Sequence, residues 1–100
     1  PYLQLWREAT QSAHKLALVY SDAQARMSER TVWPLGCFFW GAVWTLVAWC
    51  EKRQDFRSFR LDRIQSMTGL PQTFRVAEGQ RLIDYLRQQG VDPQALAEGR

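Results

Sequence analysis

Hydrophobic positions from residue 2 to residue 14 recur at spacings of three and four: Tyr2, Leu5, Trp6, Ala9 and Ala13, with Arg7, Glu8, Thr10 and Gln11 between them. That is the period of an amphipathic helix. The period then changes. LALVYS, residues 16 to 21, is short, β-branched and aromatic, Ser21-Asp22 has turn chemistry, and RMSERTVW resumes an extended pattern, so two strands joined by a hairpin are expected. Pro34 cannot donate to a ladder, so it is expected to separate the second strand from a third, GCFFW, which ends at Trp40. Gly41-Ala42 suits a tight turn, which pairs GCFFW antiparallel with VWTLVAWC, residues 43 to 50.

In that last strand Val43, Thr45, Val47 and Trp49 point one way and Trp44, Leu46, Ala48 and Cys50 the other. Neither face is polar, so both must be covered. A sheet curled into a small barrel with a helix laid against it, or a second subunit, would cover them. After the charged connection EKRQD, FRSFRL returns to the sheet and RIQSM continues it, until Gly69, Leu70 and Pro71 break the pattern. From Ala77 to Gln89, Leu82, Ile83 and Leu86 share a helical face, and Gly90 stands at the C-cap. The stretch from Val91 reads as a tail, with residues 1 to 90 forming one domain. Five or six short strands between two helices make an α+β fold.

Composition narrows the function. At 46% hydrophobic and 13% aromatic, 100 residues suffice for one core and not for two. The apolar run from Cys37 to Cys50 is punctuated by Gly41 and is too short for a membrane span of about 18 residues, so no membrane partner is expected. Cys37 and Cys50 lie inside that run without a disulfide framework and read as small buried hydrophobes, consistent with a cytoplasmic setting. The chain begins at Pro1 with neither an initiator Met nor a signal-peptide pattern, which reads as a piece of a longer polypeptide.

Candidate chemistry is sparse. The single histidine, His14, falls at the expected end of the first helix beside Lys15, where the helix dipole accounts for it. There is no metal-ligand spacing, no phosphate loop and no catalytic constellation, so neither a metal, a cofactor nor an enzyme activity is expected. Net charge is only +3, from 13 basic and 10 acidic residues, so anion binding requires clustering. Clustering occurs between Glu51 and Arg63, where Lys52, Arg53, Arg57, Arg60 and Arg63 stand against Glu51, Asp55 and Asp62. If residues 56 to 63 form one strand, Arg57, Phe59, Leu61 and Arg63 share a face, and Phe56, Ser58, Arg60 and Asp62 the other. Arginines beside aromatics can grip phosphate and stack bases. The alternative is that they pair with Glu29, Glu51, Asp55 and Asp62 and solvate an outer face.

The segment PLGCFFWGAVWTLVAWCEKRQDFRSFRLDRI, residues 34 to 64, resembles the WYL domain of bacterial transcription regulators, where it lies downstream of a winged helix-turn-helix. The likeness rests on the Pro-Leu-Gly entry, the aromatic hairpin, Trp44-Thr45-Leu46, Trp49-Cys50 and the FRxFRLDRI close, and extends more loosely to the opening helix and to Val19-Tyr20. It implies an SH3-like or Sm-like antiparallel barrel of about five strands and an effector-binding role. It also implies an anionic ligand, with single-stranded nucleic acid favoured, and contacts at Arg57, Arg60 and Arg63. Tyr20, Phe59 and Ser58 are further contacts, with Arg30 and Arg53 at the margin. The chain departs from the pattern at Thr45, where Tyr is usual, and the C-terminal extension of longer relatives is expected to be absent. On this reading the chain modulates promoter DNA binding by a module upstream. A rival reading makes it a homodimerisation module that uses the hairpin and the Tyr2/Trp6 helix.

Overall fold

The computed structural model describes residues 1–91. The expected tail lies, apart from Val91, outside the described residues. The elements run α1 (Tyr2–Ser12), β1 (His14–Ser21), β2 (Met27–Trp40), β3 (Val43–Cys50), β4 (Asp55–Arg60), a 3-10 turn (Leu61–Arg63), β5 (Ile64–Thr73) and α2 (Leu82–Gln88). All five strands form one antiparallel sheet in the order β4-β3-β2-β1-β5.

α1 stops at Ser12 because Ala13 adopts a left-handed conformation (φ 54°) and its N–H caps the Ala9 carbonyl. His14 therefore opens β1 and does not close the helix; its Nδ1 lies 2.8 Å from the Ser12 hydroxyl. The Asp22 carboxylate accepts the backbone N–H groups of Gln24 and Arg26, both at 2.9 Å, and so shapes the β1–β2 turn. Gly41, at φ 59°, supplies the positive φ that the two-residue turn between Trp40 and Val43 needs.

Neither Pro34 nor Pro71 ends a strand. β2 runs through Pro34, because the register against β3 slips between Pro34 and Gly36 and leaves Leu35 unpaired. β1 accompanies β2 only as far as Val32, so Pro34 lacks a ladder to break on that side. β5 likewise continues past Gly69 and Pro71 to Thr73 by way of a bulge opposite Lys15, on a strand that is an edge.

The sheet has two apolar faces, each with its own helix. On the inner face Leu16, Leu18, Val32, Leu46, Ala48, Cys50, Phe59, Ile64 and Met67 pack with Trp6 and Ala9 of α1. Trp6 is fully buried, and its indole N–H finds the Gly36 carbonyl at 3.0 Å. Its burial removes Trp6 from any intersubunit contact. On the outer face Phe56 meets Trp49 (5.1 Å between rings) and Tyr85 of α2 (5.5 Å). Gly36 lets α2 approach: a Cβ there would stand 3.0 Å from Leu82.

β4 and β5 are joined by the 3-10 turn and share no ladder, so the pairing closes no barrel. The sheet is nevertheless strongly curled. β1 and β4 are three strand spacings apart, about 14 Å along the sheet, yet the Tyr20 and Phe59 rings meet edge-on at 5.0 Å. The Arg60 backbone N–H donates to the Tyr20 hydroxyl at 3.1 Å across the same interior.

Candidate ligand site at the mouth of the curled sheet

The three clustered arginines go to three different places. Opposed residues in an antiparallel pair share a face, so Arg57 and Phe59, paired with Ala48 and Leu46, look inward. Ser58 and Arg60, paired with Val47 and Thr45, look outward. This is the alternation expected for one strand, but it stops at Arg60. Leu61, Asp62 and Arg63 form the 3-10 turn, so Leu61 and Arg63 do not extend the Arg57 face.

Arg60 is occupied. Its Nε and Nη2 donate to the two Asp62 carboxylate oxygens at 3.0 and 2.7 Å, a two-pronged pairing. Those hydrogen bonds hold the Asp62 carboxyl below its ordinary pKa and push the Arg60 guanidinium above its own. Arg57, Arg63, Arg30 and Arg53, by contrast, have no carboxylate within 4 Å among the described residues. Arg53 is exposed on the β3–β4 turn and Arg63 is half-buried in the 3-10 turn.

The inner face gathers the rest. Arg30 pairs with Leu18, a core residue, and so points inward like Arg57. Its Nε donates to the Ser28 hydroxyl at 3.2 Å, and its Nη1 lies 3.8 Å from the sulfur of buried Cys50. Tyr20 pairs with Ser28 on the same face. Tyr20, Ser28, Arg30, Arg57 and Phe59 thus share the inner face of the curled sheet, with Arg30 and Arg57 half-buried and Phe59 buried in the core beneath. Such a face can accept an anion by hydrogen bonding, with the half-buried Tyr20 ring beside it.

Ser28 was not legible as a site residue. The available signal was its two-residue spacing from Arg30 in MSERT, which places both on one face of a strand. Arg30 has neighbours on this face from β1 and β3, which come from distant segments of the chain. Among the described residues there is no group of three His, Cys, Asp or Glu side chains arranged to hold a metal, and no helix is long and apolar enough to cross a membrane.

The model of the WYL domain family matches residues 1–68. Among solved structures, the chain resembles proteasome accessory factor B/C (PafBC) of Arthrobacter aurescens, with a TM-score of 0.70 and 26% identity over 78% of this chain. The likeness spans only 12% of the PafBC chain. No curated protein sequence matches.

Proposed function

Because the chain belongs to the WYL domain family, we propose that it is the ligand-sensing domain of a cytoplasmic transcription regulator, with Tyr20, Ser28, Arg30, Arg57 and Phe59 forming its effector site. The observation that carries this reading is a pair of inward-facing arginines without carboxylate partners among the described residues. A buried or half-buried cation is costly to leave unpaired, so a surface that holds two of them suits an anionic ligand. The half-buried Tyr20 ring beside them, backed by the buried Phe59, favours one that also carries flat groups, as a short single-stranded nucleic acid does. Arg63 and Arg53 extend the positive field toward the rim, while Ser58 and Arg60 belong to the opposite face.

In this reading the domain performs no reaction. Its output is linkage: a ligand that prefers one curvature of the sheet shifts promoter binding by an upstream helix-turn-helix module through its differential affinity. The contact of β1 with β4 across the interior supports regarding the sheet as an SH3-like or Sm-like barrel left open between β4 and β5.

Fluorescence anisotropy with labelled single-stranded oligonucleotides tests the site. Binding should weaken with salt, and the salt slope should flatten by about 0.7 for each phosphate contact removed. Arg57→Ala and Arg30→Ala should each flatten it, whereas Arg60→Ala should leave it nearly unchanged because Asp62 already holds that side chain. Absence of binding at low salt, or binding indifferent to Arg30→Ala and Arg57→Ala in folded protein, would overturn the assignment.

A further inference from the structure

The 3-10 turn Leu61–Arg63 is flanked by two tyrosine hydroxyls from distant parts of the chain. At its entry the Arg60 N–H donates to the Tyr20 hydroxyl at 3.1 Å, and Tyr20 belongs to the candidate ligand site. Past its exit the Tyr2 hydroxyl of α1 donates to the Gln65 carbonyl at 3.3 Å, long for a bond of this type and so easily given up. Within the turn Asp62 holds the Arg60 guanidinium through two hydrogen bonds, so the segment moves together with Arg60.

Leu61, the one apolar side chain of the turn, has room on two sides. With Pro1, Tyr2 and Leu3 at the start of α1 it lines a cleft of about 570 Å³. With Ala42, Val43, Trp44 and Asp62 it lines a second, of about 270 Å³. Close packing ordinarily fixes such a side chain in one place, but here it is half-buried between two open clefts. α1 touches both: Tyr2 and Leu3 wall the first, and the Arg7 guanidinium lies 5.2 Å from the ring of Trp44, a wall of the second.

We propose that this turn is the relay by which occupancy of the ligand site reaches α1. Leu61 seats toward one cleft or the other, and a ligand that holds Tyr20 favours one of the two seats. The proposal rests on the reading of the Tyr20 face as an effector site and names the element through which that site is read out. Coupling between sites requires an element with two arrangements that both sites bias. The ligand site acts on the turn through Tyr20 and Arg60, and α1 acts on it through Tyr2 and Gln65. Linkage of this kind is reciprocal, so a change at Tyr2 is felt at Arg60.

Amide NMR shifts of the 100-residue chain test the relay without any ligand. Tyr2→Phe removes only the hydroxyl, and it should move the Arg60 and Tyr20 amides as well as that of Gln65. Gln11→Ala, an exposed change on α1 away from the turn, should move none of them. Titration with a single-stranded oligonucleotide reads the opposite direction: the Leu3 amide should shift in the unmodified chain. In Leu61→Ala that response should shrink severalfold while the affinity measured by anisotropy stays within about twofold. Arg60 and Tyr20 amides that ignore Tyr2→Phe overturn the relay, as does a bound oligonucleotide that leaves Leu3 unmoved. An oligonucleotide that does not bind overturns the effector-site reading, a failure distinct from that of the relay, which the Tyr2→Phe shifts decide either way.

Discussion

Tyr20 links the core to the candidate site. Its ring packs on Phe59 and its hydroxyl takes the Arg60 N–H, so one side chain holds β1 to β4 where no ladder does. Tyr20→Phe keeps the ring and leaves that N–H without its acceptor. A loss of about 1 kcal/mol in urea unfolding is expected, together with weaker oligonucleotide binding, because the inner face would no longer be held at the same curvature. Trp6→Phe has the analogous consequence where α1 meets β2: the Gly36 carbonyl loses its donor and unfolding free energy should fall by about 1–3 kcal/mol. At this scale the sequence was informative where one strand decides the answer. The alternation in FRSFR separated Arg57 and Phe59 from Ser58 and Arg60. It failed at Leu61 to Arg63, since nothing in period-two patterning marks LDR as a turn, and it could not place Arg30, whose surroundings come from three strands.

Among the elements, the prolines and the second helix separate what local sequence can and cannot decide. Pro34 and Pro71 each carry the chemistry of a strand breaker, and each sits in a strand. A bulge absorbs the missing donor, and whether a bulge is available depends on the neighbouring strand, which a single segment does not reveal. Gly90 was legible because its role is local: at φ 75° it lets its own N–H reach the Arg87 carbonyl and the Val91 N–H reach Leu86, which ends α2. The start of α2 was not legible, being fixed at Arg81 and not Ala77. There the Asp84 carboxylate accepts the Gly79 and Arg81 N–H groups, both at 3.0 Å, and the Arg81 guanidinium.

Those contacts, the Arg81 side chain foremost, lower the Asp84 pKa to about 2. The folded value lies below the unfolded one, near 3.9, so this contribution is fully present above about pH 4 and is lost as pH falls through about 2. Acid titration followed by NMR should show α2 leaving the sheet in that window, and Asp84→Asn should loosen it already at neutral pH. Gly36→Val should displace the same helix by crowding Leu82, reducing the contact between Tyr85 and Phe56 without disturbing the inner core.

Across the whole molecule, the two apolar faces of β3 required two covers. α1 and α2 provide them on opposite sides, and α1 reaches toward the hairpin tip through Arg7, whose guanidinium lies 5.2 Å from the Trp44 ring. That requirement was readable from VWTLVAWC. Which helix takes which face was not, because it depends on curl and on the close approach at Gly36. The same architecture places the candidate ligand site and the aromatic tip at opposite ends of β2.

The hydrogen bond from Arg60 to Tyr20 joins residues 40 positions apart in the chain. An amide held by a side chain on a distant strand is freed for solvent exchange when the two strands part, even if β4 keeps its pairing with β3. The Arg60 amide proton is thus a local clock for the breathing of the sheet, and a ligand seated at the mouth should slow it while amides deep in the β2–β3 ladder keep their pace.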